Sequence, residues 1–164
     1  IMDFLDDQQM YHLYEKFILE YYKKEYPDIM TNASQIKWQL DDGMGYMLPN
    51  LLSDITLEYG NKVLIIDAKY YSHIMQNRYE KETIRSANMF QIFTYVKNKE
   101  AELKDKPHEV AGMLLYAQTD NGTQPDYRYK MSGNMISVKT LNLNCDFEDI
   151  RRQLNGIVTD YFEL

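Results

Sequence analysis

Ser53-Asp54-Ile55-Thr56-Leu57-Glu58-Tyr59-Gly60-Asn61-Lys62-Val63-Leu64-Ile65-Ile66-Asp67-Ala68-Lys69 is the stretch that decides the fold. Its two halves read as strands, one alternating and one a continuous apolar run, and Gly60-Asn61 reads as the tight turn of a hairpin. With the turn centred there, facing residues have numbers that sum to about 121, because hairpin register follows from the turn. Asp54 then faces Asp67, with Cβ atoms roughly 4.5–5.5 Å apart. Like charges so placed repel unless a cation sits between them. Lys69, two residues beyond Asp67, points to the same face of the strand. Two carboxylates and an ammonium converging on one spot outline a hydrolytic metal site. The competing reading is a solvated strand end, but an acid closing an apolar run carries a burial penalty that such an end does not explain.

Composition sets the frame. A chain of 164 residues can build one domain with a real core, here taken as 1–164, and 45% apolar and 13% aromatic residues argue against disorder. The apolar runs are too short to span a bilayer, and no basic segment followed by an apolar one opens the chain. The single cysteine, Cys145, excludes an internal disulfide and fits a reducing, cytoplasmic setting. The chain opens at Ile1 rather than Met, so we expect further N-terminal material in the natural protein. Net charge is −7, which runs against nucleic-acid binding unless a local basic patch or another domain supplies the phosphate contacts.

Around the hairpin, apolar residues at helical spacing predict a first helix from about Asp6 to Lys24, capped by Asp6 or Asp7 and stopped at Pro27. Ile36 to Leu40 reads as a strand and Ser72 to Lys81 as an irregular loop with a helical turn. A second helix is expected from about Thr83 to Glu102, and Val110 to Ala117 as a buried strand. Asp120 to Pro125 reads as a loop. Tyr127 to Met131 and Met135 to Leu143 alternate like paired strands about Ser132-Gly133-Asn134. A terminal helix covers Asp146 to Phe162. The order predicts an α/β sandwich, a mixed central sheet flanked by helices.

Asp67-Ala68-Lys69 fits the pattern acid, any residue, lysine. So does Glu102-Leu103-Lys104, which falls at a charged helix end and reads as a solvated face. With Asp54, the first match resembles the PD-(D/E)xK nuclease superfamily, Ser53 standing where the motif has proline. Gln91-Ile92-Phe93-Thr94-Tyr95 resembles the Q-x-x-x-Y motif of RecB-like members, and a helix puts Gln91 and Tyr95 on one face. The resemblance implies that these two support the site or contact DNA, and that the first helix brings a further acid. Glu15 is the candidate, with Glu20 second; Glu15 lies on the flank of the apolar stripe, where a ligand and a plain surface acid are both open.

Leu48-Pro49-Asn50, Ser53-Asp54-Ile55, Leu64 to Tyr71, Asn88 to Val96 and Gly112 to Tyr116 together resemble the C-terminal nuclease part of McrC-type subunits of modification-dependent restriction systems. The resemblance extends through Met131-Ser132-Gly133-Asn134 and the terminal helix. It implies a DNA endonuclease subunit driven by a GTPase motor of the McrB type, and it accounts for the acidic charge, since DNA binding is then shared. Mg²⁺ suits the hard oxygens of Asp54 and Asp67, with the backbone carbonyl of Ala68 and the Glu15 carboxylate as further donors and Mn²⁺ as a substitute. Lys69 would orient a water or stabilise developing charge. A RecB-like repair exonuclease and a non-catalytic scaffold of the same fold are the rivals. Lys62, Lys69, Arg78, Lys81 and Arg85 are candidate phosphate contacts, with a solvated rim as the equal alternative. His12, His73 and His108 lack metal-ligand spacing. The pairs Tyr21-Tyr22 and Tyr70-Tyr71 read as packing on helices and sheet rather than stacking on bases, with one of Tyr70 and Tyr71, which follow the catalytic strand, left open as a cleft residue.

Overall fold

The computed structural model of the protein describes residues 2–71, 74–79, 81–119 and 122–164, with residues 2–5 described by their backbone alone. In chain order the elements are α1 (Met2–Glu25), β1 (Met30–Asn32), β2 (Gln35–Ile36), β3 (Leu51–Leu52), β4 (Ile55–Tyr59), β5 (Lys62–Lys69), β6 (Gln76–Arg78), β7 (Lys81–Thr83), α2 (Ser86–Glu102), β8 (Glu109–Ala117), β9 (Tyr127–Met131), β10 (Asn134–Leu141) and α3 (Phe147–Phe162). Six strands form one sheet in the order β1-β4-β5-β8-β10-β9, while β2-β3 and β6-β7 are separate ribbons. Neighbours β5 and β8, and β8 and β10, run parallel; the other pairs are antiparallel. This is the expected mixed sheet flanked by helices.

Strand alternation divides the interior in two. Leu64, Ile66 and Ala68 of β5 face Tyr14, Ile18 and Tyr22 of α1 and Leu154, Ile157 and Val158 of α3. Val63 and Ile65 face the other way, onto Ile92, Tyr95 and Val96 of α2. Each such side chain taken fully from water contributes roughly 1.5–3 kcal/mol. Because β5 is covered on both faces, it reads as a continuous apolar run, as parallel strands do. Asp67 and Lys69 share the α2 side with Ile65 by period-two alternation. The register is the expected one: Ile55 pairs with Ile66 and Tyr59 with Lys62, about a turn in which Gly60 takes φ +61°. A glycine with positive φ at the first turn position suits the twist of the two strands.

Several expectations are corrected. Helix α1 already runs at Met2, so Asp6 and Asp7 lie within it, exposed, and do not cap it. Ile36 to Leu40 is strand only through Ile36. Beyond it the Trp38 indole N–H donates to the Pro49 carbonyl (2.7 Å) and the Gln39 N–H to Asn98 Oδ1 (2.9 Å), which draws the chain out of the ladder. Strand β1 was not expected. Helix α2 starts at Ser86, because Lys81–Thr83 instead pairs with Gln76–Arg78 as a hairpin where a loop was expected. Ser72, His73 and Glu80, and Asp120 and Asn121 of the second loop, lie outside the described residues. The terminal helix is as expected: the Asp146 side chain accepts from the Asp149 N–H (2.9 Å) and caps it. Among the described residues no helix is long and apolar enough to cross a membrane.

Candidate active site

The site lies where β4 begins and β5 ends. Ile55–Ile66 is the last ladder pair, so Asp54 and Asp67 occupy the next position, as the register required. The Asp54 backbone has left the ladder, and its side chain takes over the strand's role: Asp54 Oδ2 accepts the Ala68 N–H at 2.9 Å. A residue in a strand sends its N–H and C=O to the same edge, so the Ala68 carbonyl also leaves toward Asp54, past the end of β4.

Asp67 is almost wholly buried, 1% exposed, and its Oδ2 has no hydrogen-bond donor. The nearest cation, Lys69 Nζ, stands 3.9 Å away, an ion-pair distance and not a hydrogen bond. Lys69 is itself buried and donates a hydrogen bond to Gln91 Oε1 (2.7 Å), while Gln91 Nε2 donates to the Tyr95 hydroxyl (2.9 Å). Gln91 and Tyr95 thus act in series, one helical turn apart, and hold the ammonium over Asp67. Glu15, from α1, reaches the Asp54 carboxyl. Its Oε1 also pairs with His12 Nδ1 at 3.2 Å.

One lysine cannot neutralise this many acids out of water. Burial, then the Asp67 charge, then Glu15 push the Asp54 carboxyl up to about 8. Burial raises Asp67 as well, opposed by Lys69 and by the hydrogen bond it shares with Asp54. Without a further cation the Asp54–Asp67 pair therefore retains a proton near neutral pH.

Glu20 does not join the cluster; it is exposed and pairs with Lys23 (3.8 Å). Lys62 lies at the opposite end of β5, where it donates to the Tyr161 carbonyl (3.0 Å) and pairs with Glu109 and Glu163, so it is no neighbour of the acids. Arg78 and Lys81 are exposed on the β6-β7 hairpin. The Arg85 guanidinium stands 4.3 Å from the Tyr71 ring centroid.

That tyrosine belongs to a network the sequence did not disclose. Buried Asn88 accepts from the Tyr71 hydroxyl (3.2 Å) and donates to the Tyr116 hydroxyl (2.8 Å), and Tyr116 pairs with Lys69 across β5-β8. Tyr11, one turn before Glu15, is half-buried, and Asp54, Glu15 and Asp67 add to its burial in raising its phenol. Helical spacing was the available signal for both: Asn88 is three residues before Gln91, and Tyr11 four before Glu15.

The side-chain donors are all hard oxygens, and one of them, Asp67 Oδ2, is buried without a donor. Among the described residues no three His, Cys, Asp or Glu side chains are arranged to hold a metal ion by themselves. Mg²⁺ does not demand such a set, since it keeps several waters and is commonly held by one or two carboxylates. The pair Asp54–Asp67 with the Ala68 carbonyl fits that habit.

Fold and site together define an α/β domain that gathers acids from a hairpin and a flanking helix around one buried lysine. Residues 8–117 match the family described as McrBC 5-methylcytosine restriction system component. The chain is also 30% identical over 161 residues to the type IV methyl-directed restriction enzyme EcoKMcrBC of Escherichia coli (strain K12), covering 96% of this chain and 45% of that relative. The chain belongs to the McrBC 5-methylcytosine restriction system component family. It spans about half the length of the curated relative it matches.

Proposed function

We propose that this chain is the nuclease domain of a McrBC-type restriction system, a Mg²⁺-dependent endonuclease of the PD-(D/E)xK kind. It hydrolyses DNA phosphodiesters when driven by a GTPase motor subunit of the McrB type. The observation that carries this reading is half-buried Asp54 set opposite buried Asp67, whose Oδ2 has no hydrogen-bond donor and lies 3.9 Å from the Lys69 ammonium. Asp54, Asp67 and the Ala68 carbonyl would hold the cation, with Glu15 at its edge, and Mn²⁺ would serve in its place. When bound, the ion supplies charge neutralisation at the phosphate and a more acidic water.

The chain's own groups do the rest. Lys69 presents its side-chain nitrogen where negative charge develops on the phosphate, and Gln91 keeps it from collapsing onto Asp67. Tyr95 orients Gln91 so that its carbonyl, not its amide, meets the lysine. The net charge of −7 supports a division of labour in which other parts of the complex hold most of the DNA.

The test is cleavage of covalently closed, methylated DNA by the complete complex. Asp67→Ala and Lys69→Ala should each abolish cutting while the circular dichroism spectrum stays that of the parent. Cutting at the parental rate by either variant overturns the proposal. Cutting that requires free DNA ends points to an exonuclease. No Mg²⁺- or Mn²⁺-linked rise in thermal stability points to a scaffold.

A further inference from the structure

Asp54 is the only acid of the hairpin pair whose backbone lies outside the ladder, and something else must fix it. Beside it lies a knot of three hydroxyls. Ser53 Oγ and Thr56 Oγ1 are 2.7 Å apart, and Ser34 Oγ donates to Thr56 Oγ1 at 3.2 Å. Ser53 Oγ donates to the Ser34 carbonyl (3.2 Å) and accepts the Ser34 N–H (3.3 Å), while the Ser53 N–H donates to the same carbonyl (3.0 Å). The protons can run in one direction: Ser34 to Thr56, Thr56 to Ser53, Ser53 to the Ser34 carbonyl. Every hydroxyl then donates once, and none is left for chemistry. Ser53 and Thr56 are 4% and 3% exposed, so water offers no ready substitute.

From this geometry we infer that the Ser34–Ser53–Thr56 knot is a positioning device for Asp54. It clamps the residue before Asp54 to the β1-β2 connection and the residue two after it to the same serine. The backbone between is left one way to run, and it aims the Asp54 carboxylate at the Ala68 N–H. The inference rests on the proposed role of Asp54 as a metal ligand. Its substrate is the same site, and its claim is that cation affinity depends on hydroxyls that never touch the cation.

Thr56→Val removes one hydroxyl at nearly constant shape, and Thr56→Ser returns it. Two readouts on the folded chain separate the outcomes. The first is amide hydrogen exchange at Ala68 without metal, which reports opening of the Asp54–Ala68 bond once it is referred to the core amides of β8. The second is the Mn²⁺ dissociation constant by calorimetry. Thr56→Val should speed Ala68 exchange at least fivefold relative to core amides of β8 and weaken Mn²⁺ binding by a similar factor, and Thr56→Ser should restore both. Unchanged Ala68 exchange overturns the knot's role. Faster exchange with unchanged Mn²⁺ affinity overturns its link to the site, as does a uniform loss of protection across β8. A parent chain that binds no Mn²⁺ overturns the metal reading itself, whatever Ala68 does.

Discussion

At the scale of single residues, the site is defined by charge that the fold does not balance. Asp54 is raised to about 8 by burial and by its acid neighbours, well above the ordinary carboxylate value of 3.8. A folded-state value above the unfolded one means the proton stabilises the fold. That contribution is complete below about pH 4 and is lost as pH rises through 8. Asp54→Asn keeps an oxygen for the Ala68 N–H and removes the charge. In metal-free buffer it should raise the melting temperature at pH 8 by about 2–6 °C, on the order of 1–2 kcal/mol, and change it far less at pH 5. Thermal melts of parent and variant at the two pH values check this; equal shifts at both would contradict it. The hairpin acids were legible because a two-residue turn fixes register by counting. The Tyr71–Asn88–Tyr116 network was not, because its members lie 17 and 28 residues apart and no local pattern joins them.

At the scale of elements, helix α2 carries Gln91 to Lys69, and its seat on the sheet is set by a glycine. A Cβ at Gly112 of β8 would stand 2.7 Å from Ile92 Cγ1 and 2.7 Å from Val96 Cγ2, both on the buried face of α2. Gly112→Ala should therefore cost about 1–3 kcal/mol, a melting temperature lower by several degrees, through overpacking. It should also lift α2 away from β5 and loosen the Gln91–Lys69 bond, so DNA cutting should fall more than the lost stability alone explains. Calorimetry and cleavage rates at a temperature where the variant stays folded check both parts. Helix α2 and strand β8 were legible from apolar spacing. The β6-β7 hairpin was not, since most of its residues face water and it offers no alternation to read. Strand β1, three residues with a single buried position, gives too short a signal for the same reason.

At the scale of the whole molecule, helices α1 and α3 cover one face of the sheet and α2 the other, while α1 and the β4-β5 hairpin bring Glu15, Asp54 and Asp67 to one end of it. The layered α/β class followed from the order of elements. The depth of Lys69 did not, because a lysine after an apolar run reads equally as a strand leaving the core. Since the acid pair holds a proton that a cation would displace, stabilisation of the isolated domain by Mg²⁺ should grow between pH 6 and pH 8. Excess EDTA should abolish the increment at both values. Melting curves across that range check it, and a pH-independent increment would place the cation elsewhere.

The two-residue turn at Gly60-Asn61 stands five ladder steps from the acids, about 16 Å at the rise of a strand. It nevertheless acts as the gauge for their meeting. An extra residue there would turn one strand over relative to its partner, carrying a carboxylate into the oily layer beneath α1 and α3. The 37–50 segment, by contrast, departs from one short ribbon and returns to it, and its length has no such hold on parity. Among natural variants of this chain, changes in length should accumulate in that segment and be absent from the turn. The place least tolerant of insertion is thus remote from the chemistry it governs.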